Sequence, residues 1–344
     1  MKSNNFDFLR FLFALLVVVA HSYPLSGNNV SNQWVYKLTN GQVELSGIGL
    51  YGFFTISGYL IFLSLKRSSS FFEYYWKRIL RLFPALIVLL LLTIFLAPLV
   101  YENTIPYFKN LKIYSYFFRN LTLYRLQYGI EGVFENNVYP NAINGSLWTI
   151  WYEFSLYVFL SFLFYIRKNK YFLQVLIVIS FLLMYISYNF LLHKFSTRMI
   201  FGLNGLHFLN LGTYFVAGSL LAIFNFDKRV NSYLIWGLFF ILIATLYFDV
   251  YTYSKHLIFP LIVLAIGLKP IKFISSFGEK GDPSYGIYIY SFPIQQTLMY
   301  FFGLTTFYLI IWSVLISVLF GYFSWYLVEK KALSYKKYFK KIIH

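Results

Sequence analysis

Ten apolar stretches follow one another almost from end to end of the chain, at about residues 8–24, 46–65, 82–100, 146–166, 171–192, 208–226, 231–249, 257–268, 284–303 and 307–328. A helix that crosses hydrocarbon needs about 20 apolar residues, and most of these stretches approach that length. Hydrocarbon offers no partner to an open backbone N–H or C=O, so segments this apolar must satisfy their own backbone as helices. Of the 344 residues, 59% are hydrophobic and only 12% charged. The expected class is therefore all-α: a polytopic integral membrane protein of about ten transmembrane helices. It reads as one transmembrane domain over residues 1–344, with a basic tail at 329–344. Residues 1–25 lack a small-x-small cleavage pattern after their apolar run and read as an uncleaved first span.

Charge sets the expected orientation. The chain holds 29 Lys and Arg against 12 Asp and Glu, a formal charge of +17. These residues sit in short clusters between apolar spans and not on a hydrophilic domain, which points to topology and away from nucleic acid as a partner. With both termini in the cytoplasm, 21 of the 29 basic residues fall on the inner side, including Lys66/Arg67, Lys77/Arg78/Arg81, Arg167/Lys168/Lys170, Lys228/Arg229 and Lys269/Lys272/Lys280. That asymmetry follows the positive-inside rule in this orientation, with the tail "EKKALSYKKYFKKIIH" as an anchor on anionic lipids, and the expected location is the cytoplasmic (inner) membrane. The segment 101–145, with Arg119 and Arg125, reads as an external or re-entrant element. The absence of cysteine excludes disulfides and thiolate chemistry, and the scattered histidines give no expectation of a metal site.

A few polar side chains interrupt the apolar runs. "DFLRFLFALLVVVAHSYP", residues 7–24, carries Arg10 and His21. Eleven residues make about three helical turns, so the two side chains share one face roughly 16 Å apart. Ionisable groups inside a membrane mark sites, although a snorkelling arginine and an interfacial histidine fit the same pattern. Glu153, in "NGSLWTIWYEFSLYVFL", is the one acidic residue deep in an expected span, at a depth matching that of His21. It suits a carboxylate that orients a histidine base, and equally a buried partner of Arg119 or Arg125. In "YYWKRILRLFPAL", Arg78 and Arg81 lie at i, i+3 on one helix face. Paired guanidiniums suit a polyphosphate, and an ordinary positive-inside flank looks the same. Ser57 and Gly58 in "SGYL" read as a close helix contact, and Pro293 as a kink that frees backbone groups.

Five motifs stand in a familiar order: Arg10 and His21 in "LRFLFALLVVVAHS", "FFTISGYLI" at 53–61, Arg78 and Arg81 in "KRILRLFPA", Trp148 and Glu153 in "GSLWTIWYEFSLY", and "SYGIYIYSFPIQQ" at 284–296. Over nearly its whole length the chain resembles the membrane acyltransferase-3 family of bacterial O-acyltransferases. One departure is Ser291, where many relatives carry histidine, so no catalytic role is expected there. No esterase-like domain follows the last span, so the membrane domain would complete transfer itself or hand the acyl group to a separate partner protein.

The resemblance implies an O-acetyltransferase that takes an acyl group, acetyl foremost, from cytoplasmic acyl-CoA (acetyl-CoA) and transfers it to a hydroxyl of a cell-surface or lipid-linked carbohydrate. In that reading His21 is the general base or the residue transiently acylated, Glu153 orients it, and Arg10, Arg78 and Arg81 hold the CoA phosphates, with no metal. A transporter or flippase of a lipid-linked glycan, with broken helices and midplane charges, is the alternative from another class.

Overall fold

The computed structural model describes residues 4–337; Lys2 and residues 338–344 of the basic tail lie outside the described residues. The principal helices are α1 (Phe6–Leu25), α2 (Leu45–Arg67), α3 (Phe71–Leu96), α4 (Leu111–Leu121), α5 (Trp148–Ser161), α6 (Lys170–Phe190), α7 (Gly205–Ile223), α8 (Ser232–Tyr247), α9 (Tyr251–Leu268), α10 (Ser284–Phe302) and α11 (Thr306–Ser324). The β-structure among the described residues is one two-stranded hairpin, Met199–Ile200 with Leu203–Asn204, and an isolated bridge. Every apolar stretch expected from the sequence is helical. Among the described residues, seven helices are long and apolar enough to cross a membrane: α1, α2, α3 extended to Val100, α6, α7, α9 and α11 extended to Ser334. Helices α5 and α8 are apolar but shorter, and α10 carries Ser284, Ser291, Gln295 and Gln296 among its apolar residues. Helix α3 begins at Phe71, well before the expected 82, which puts Arg78 and Arg81 inside a helix and not on its flank.

Asparagine starts four of these helices. Asn110, Asn169, Asn204 and Asn231 each accept backbone N–H groups of the first turn of α4, α6, α7 and α8, pairing donors that have no partner within the helix.

The chain divides into two compact units. The first takes the residues up to Phe13, Val35–Tyr74 and Tyr152–Lys280; the second takes Ala14–Trp34, Tyr75–Trp151 and the residues from Gly281 on. In the first unit α2 packs most extensively against α7, and α7 against α6. The α2–α7 crossing depends on glycine. A Cβ at Gly58 would lie 1.9 Å from the Phe215 carbonyl oxygen, and one at Gly218 would lie 2.2 Å from the Thr55 oxygen. Small residues at this seam let the two backbones touch, the device that joins helices where hydrophobic burial provides no drive. Helix α6 buries one stripe, Leu173, Ile177 and Phe181, at successive turns. Its other faces, and nearly all of α8, turn large apolar side chains outward: Trp236 is 72% and Phe240 74% exposed. Helices apolar on their outer face fit hydrocarbon, not water.

In the second unit α10 packs along α11. The long connection 101–147 contains no helix that can cross a membrane: its one principal helix, α4, has 11 residues, about 16 Å. Side-chain amides knit this connection together. Asn110 donates to the Glu131 carbonyl, Asn120 to that of Gln127, and Gln127 to those of Lys112 and Gly129. A loop can be buried only when its backbone groups are paired in this way.

The α2–α7 seam gives a direct expectation. Gly58→Val, which forces a branched side chain into the Phe215 carbonyl, is expected to cost about 3 kcal/mol or more and to lower the thermal unfolding temperature in detergent. Gly237→Ala on α8, with nothing within 4 Å of the new Cβ, is expected to be neutral or slightly stabilising in the same measurement.

Candidate active site

His21 lies on α1, an unbroken helix that also carries Arg10 three turns earlier. The part of α1 from Ala14 onward belongs to the second unit, and its surroundings there come from α10 and the connection before α5. The imidazole stands edge-on to the buried ring of Phe292, with centroids 5.4 Å apart, and Phe292 in turn meets Tyr139 edge-on at 6.1 Å. A Cβ at residue 145 would lie 2.6 Å from the Phe292 ring, so Gly145 is what lets this loop close over it. One residue after His21, the fully buried Ser22 hydroxyl accepts from Gln295 Nε2 at 2.8 Å; the same amide also donates to the Val18 carbonyl at 2.8 Å. The histidine is thus held by neighbours in chain and space, and its rotation is limited by a packed aromatic ring.

Pro293 explains another contact. It cannot donate to the carbonyl four residues back, that of Ile289, and the Asn144 side-chain amide donates to that oxygen instead, at 2.9 Å. The carbonyl freed by the proline is therefore what anchors the connection to α10. Tyr288 OH adds a bond to the Ser146 carbonyl at 3.1 Å. Ser291, the departure from the family pattern, is fully buried and donates to the Tyr288 carbonyl of its own helix at 3.2 Å, a local structural bond. Around this frame several buried polar atoms make no hydrogen bond among the described residues: His21 Nδ1, Ser146 Oγ, Trp151 Nε1 and Gln295 Oε1. Buried polar atoms without partners are rare and mark sites that bind something else.

Glu153 belongs to the first unit, on the part of α5 from Tyr152 onward. Ser57 Oγ of α2 donates to its Oε1 at 2.5 Å, and Tyr157, one turn along α5, donates to the same oxygen. Of the two residues read from the sequence as a packing pair, Gly58 indeed makes the close crossing, whereas Ser57 serves the carboxylate. The hydroxyl partners of Glu153 carried no signal of their own, because Ser57 lies almost a hundred positions away in the chain.

The three arginines do not form one patch within a unit. Arg10, in the first unit, pairs with Asp7 at 3.3 Å on its own helix. Arg78 and Arg81 lie in the second unit on α3, where Arg78 is buried. Arg81 is gripped by two carboxylates, Asp282 at 2.7 Å and Glu329 at 3.4 Å, beneath the Tyr285 ring. Glu329 also accepts from Ser324 at 2.8 Å, and Asp282 accepts from both the hydroxyl and the backbone N–H of Ser284. The sequence reading placed Glu329 at the head of the basic tail and so missed it. The helix instead continues past Ser324 through a π-helical turn, Trp325–Glu329, which carries Glu329 inward until it is 1% exposed. Asp282, in "GDPS" between two expected spans, was not singled out from the sequence. Arg81 therefore ties α3 to the start of α10 and the end of α11, and any phosphate would have to compete with both carboxylates for it.

The chain matches the model described as an acyltransferase domain over residues 3–329. It is similar to a protein of Shigella phage Sf6 named O-acetyl transferase, 28% identical over 343 residues and 97% of each chain. A shorter likeness, 40% identical over 87 residues, covers 25% of this chain and 22% of nodulation protein 10 of Rhizobium leguminosarum bv. viciae. No solved structure matches.

Removing one partner from a buried ion network leaves the others uncompensated. Arg81→Ala is accordingly expected to cost about 3–5 kcal/mol, read as a lower unfolding midpoint and reduced abundance in membranes, with Arg81→Lys losing less. Unchanged stability in Arg81→Ala would show that the two carboxylates do not depend on it.

Proposed function

The chain belongs to the acyltransferase family whose model covers residues 3–329 and is an O-acetyltransferase; from that premise we propose that it moves an acetyl group from cytoplasmic acetyl-CoA to a hydroxyl of a cell-surface or lipid-linked carbohydrate. The observation that carries the proposal is the setting of His21: an imidazole wedged against Phe292 in an otherwise apolar helix, with a buried nitrogen that no described residue engages. The cytoplasmic placement of both termini rests on the charge asymmetry, which also puts Arg10 at the inner end of α1 and His21 toward its outer end.

In this reading His21 takes the proton of the acceptor hydroxyl as the oxygen bonds to the acyl carbon. The carbon–sulfur bond then breaks, and the proton passes from the imidazolium to the departing thiolate, so that atoms and charge balance. A route in which His21 first takes the acyl group onto a ring nitrogen, releasing the thiol, needs the same imidazole. Arg10, Arg78 and Arg81 are the arginines assigned to the donor's phosphates, and Arg81 also holds the frame of α3 through Asp282 and Glu329. About 16 Å of helix separates Arg10 from His21, a span that an extended pantetheine arm suits. Glu153, its carboxylate fixed by Ser57 and Tyr157, remains a catalytic candidate. The arginines serve binding more than rate, because an interaction equal in ground state and transition state changes affinity and not turnover.

The test is transfer of labelled acetyl from acetyl-CoA to glycan in membranes carrying native protein or a His21→Ala variant of equal abundance. His21→Ala is expected to lower transfer by about 10²–10⁴-fold while donor binding persists. Equal transfer by both proteins, or glycan that crosses the membrane without gaining label, would overturn the proposal.

A further inference from the structure

Apart from Glu153 and its hydroxyl partners, the first unit contains a second polar cluster that the acyl-transfer chemistry does not use. Tyr51 of α2, Tyr188 of α6, Asn210 and Tyr214 of α7, and Lys255 and His256 of α9 meet at one level. That level lies toward the helix end remote from the basic flank for Tyr51 of α2, Tyr188 of α6 and Lys255 and His256 of α9, with Asn210 in the first half of α7 and Tyr214 at its midpoint; the flanks are Lys66/Arg67 for α2, Lys170 for α6, Lys228/Arg229 beyond α7 and Lys269 beyond α9. On the orientation proposed above, this is the outer end, where an acceptor arrives.

Lys255 is 9% exposed, and no carboxylate lies within ion-pair distance of it among the described residues. Its ammonium donates to Tyr188 OH at 3.0 Å and lies 4.8 Å and 5.8 Å from the ring centroids of Tyr188 and Tyr51. Tyr51 OH accepts from Asn210 Nδ2 at 3.2 Å, and Asn210 Oδ1 pairs with His256 Nε2 at 2.9 Å. That bond assigns the proton of the imidazole to Nε2 and leaves Nδ1 as an acceptor. His256 and Tyr214 are both fully buried, and His256 Nδ1 and Tyr214 OH make no hydrogen bond among the described residues. Tyr51 stacks on Tyr214 with centroids 4.3 Å apart, and Tyr214 lies 4.5 Å from the His256 ring. Tyr51 and Tyr188 are only half-buried, so the cluster reaches the surface at these two rings.

A buried cation with no paired carboxylate, next to a phenol and an imidazole nitrogen that are both open, is an incomplete site. An acidic group would complete the Lys255 and Tyr214 donors, and a hydroxyl beside that acid would complete the His256 acceptor. We propose that Lys255, His256 and Tyr214, walled by Tyr51 and Tyr188, bind an anionic, hydroxyl-bearing group at the outer end of the first unit. Its role as an acceptor subsite rests on the acyl-transfer reading, whereas the binding itself does not. An acidic sugar and the headgroup of a phosphatidylglycerol share this chemistry.

The experiment uses the full-length protein. Thermal unfolding is followed in detergent with sodium glucuronate or glucose, and in nanodiscs of phosphatidylglycerol or phosphatidylcholine. Glucuronate is expected to stabilise the native protein where glucose does not, with binding weakened about tenfold or more in Lys255→Met and to a smaller extent in Tyr214→Phe. Stabilisation by phosphatidylglycerol alone, lost in the same variants, would assign the site to a lipid headgroup. Tyr214→Phe removes a single oxygen from a buried ring and is expected to fold, so the proposal stays testable if Lys255→Met does not. No preference for either acidic probe, or an equal preference in the variants, would overturn it. Labelled acetyl transfer on the same samples separates the two proposals: transfer without acid binding overturns the subsite alone, and acid binding without transfer overturns the acyl-transfer reading alone.

Discussion

In hydrocarbon a backbone carbonyl that loses its helical partner has no water to turn to, and that constraint runs through the structure. Pro293 removes the donor that the Ile289 carbonyl would use, and Asn144 supplies one from a different segment. The consequence reaches beyond one hydrogen bond. Anchoring Asn144 sets the course of the connection into α5, and with it Gly145 against Phe292 and Ser146 beneath Tyr288. Phe292 is the ring that confines His21. A proline that would merely kink an isolated helix here creates the attachment point for the surroundings of the His21 imidazole.

The same economy governs charge. An ion in low dielectric must meet a counter-ion or hydrogen-bond donors, and the second unit meets this requirement for Arg81 with Asp282 and Glu329, themselves steadied by Ser284 and Ser324. The first unit meets it for Glu153 with two hydroxyls. Satisfied groups of this kind hold geometry. Among the buried polar atoms that make no hydrogen bond in the described residues, two groups cluster, His21 with Ser146, Trp151 and Gln295 in the second unit and His256 with Tyr214 in the first.

On the proposed function, a cytoplasmic thioester and an external hydroxyl have to meet at one group. A single helix carrying Arg10 at one end and His21 near the other provides a scaffold whose length is set by the helical rise and not by side-chain packing. The arginine pair was the feature most altered by the structure. Helical spacing correctly places Arg78 and Arg81 on one face, but only the approach of Asp282 and Glu329 shows that Arg81 holds the frame.

Much of this was legible from the chain. Apolar runs of helical length required an all-α membrane fold, because no other structure satisfies its backbone locally; eleven residues between Arg10 and His21 required one face, because the α-helical period admits no other outcome. Glu153 stood out because a carboxylate in an apolar run is conspicuous. What the sequence alone left open were the contacts between residues distant along it: Ser57 with Glu153, Asn144 with Ile289, Arg81 with Glu329, and the meeting of four helices around Lys255. The π turn that draws Glu329 out of the basic tail belongs to the same class, since local composition there reads as a helix end. Local structure follows from short-range backbone sterics and hydrogen bonding, which neighbouring residues encode. Which polar groups find each other, and which remain open for a substrate, follows from packing at sequence separations that no local pattern records.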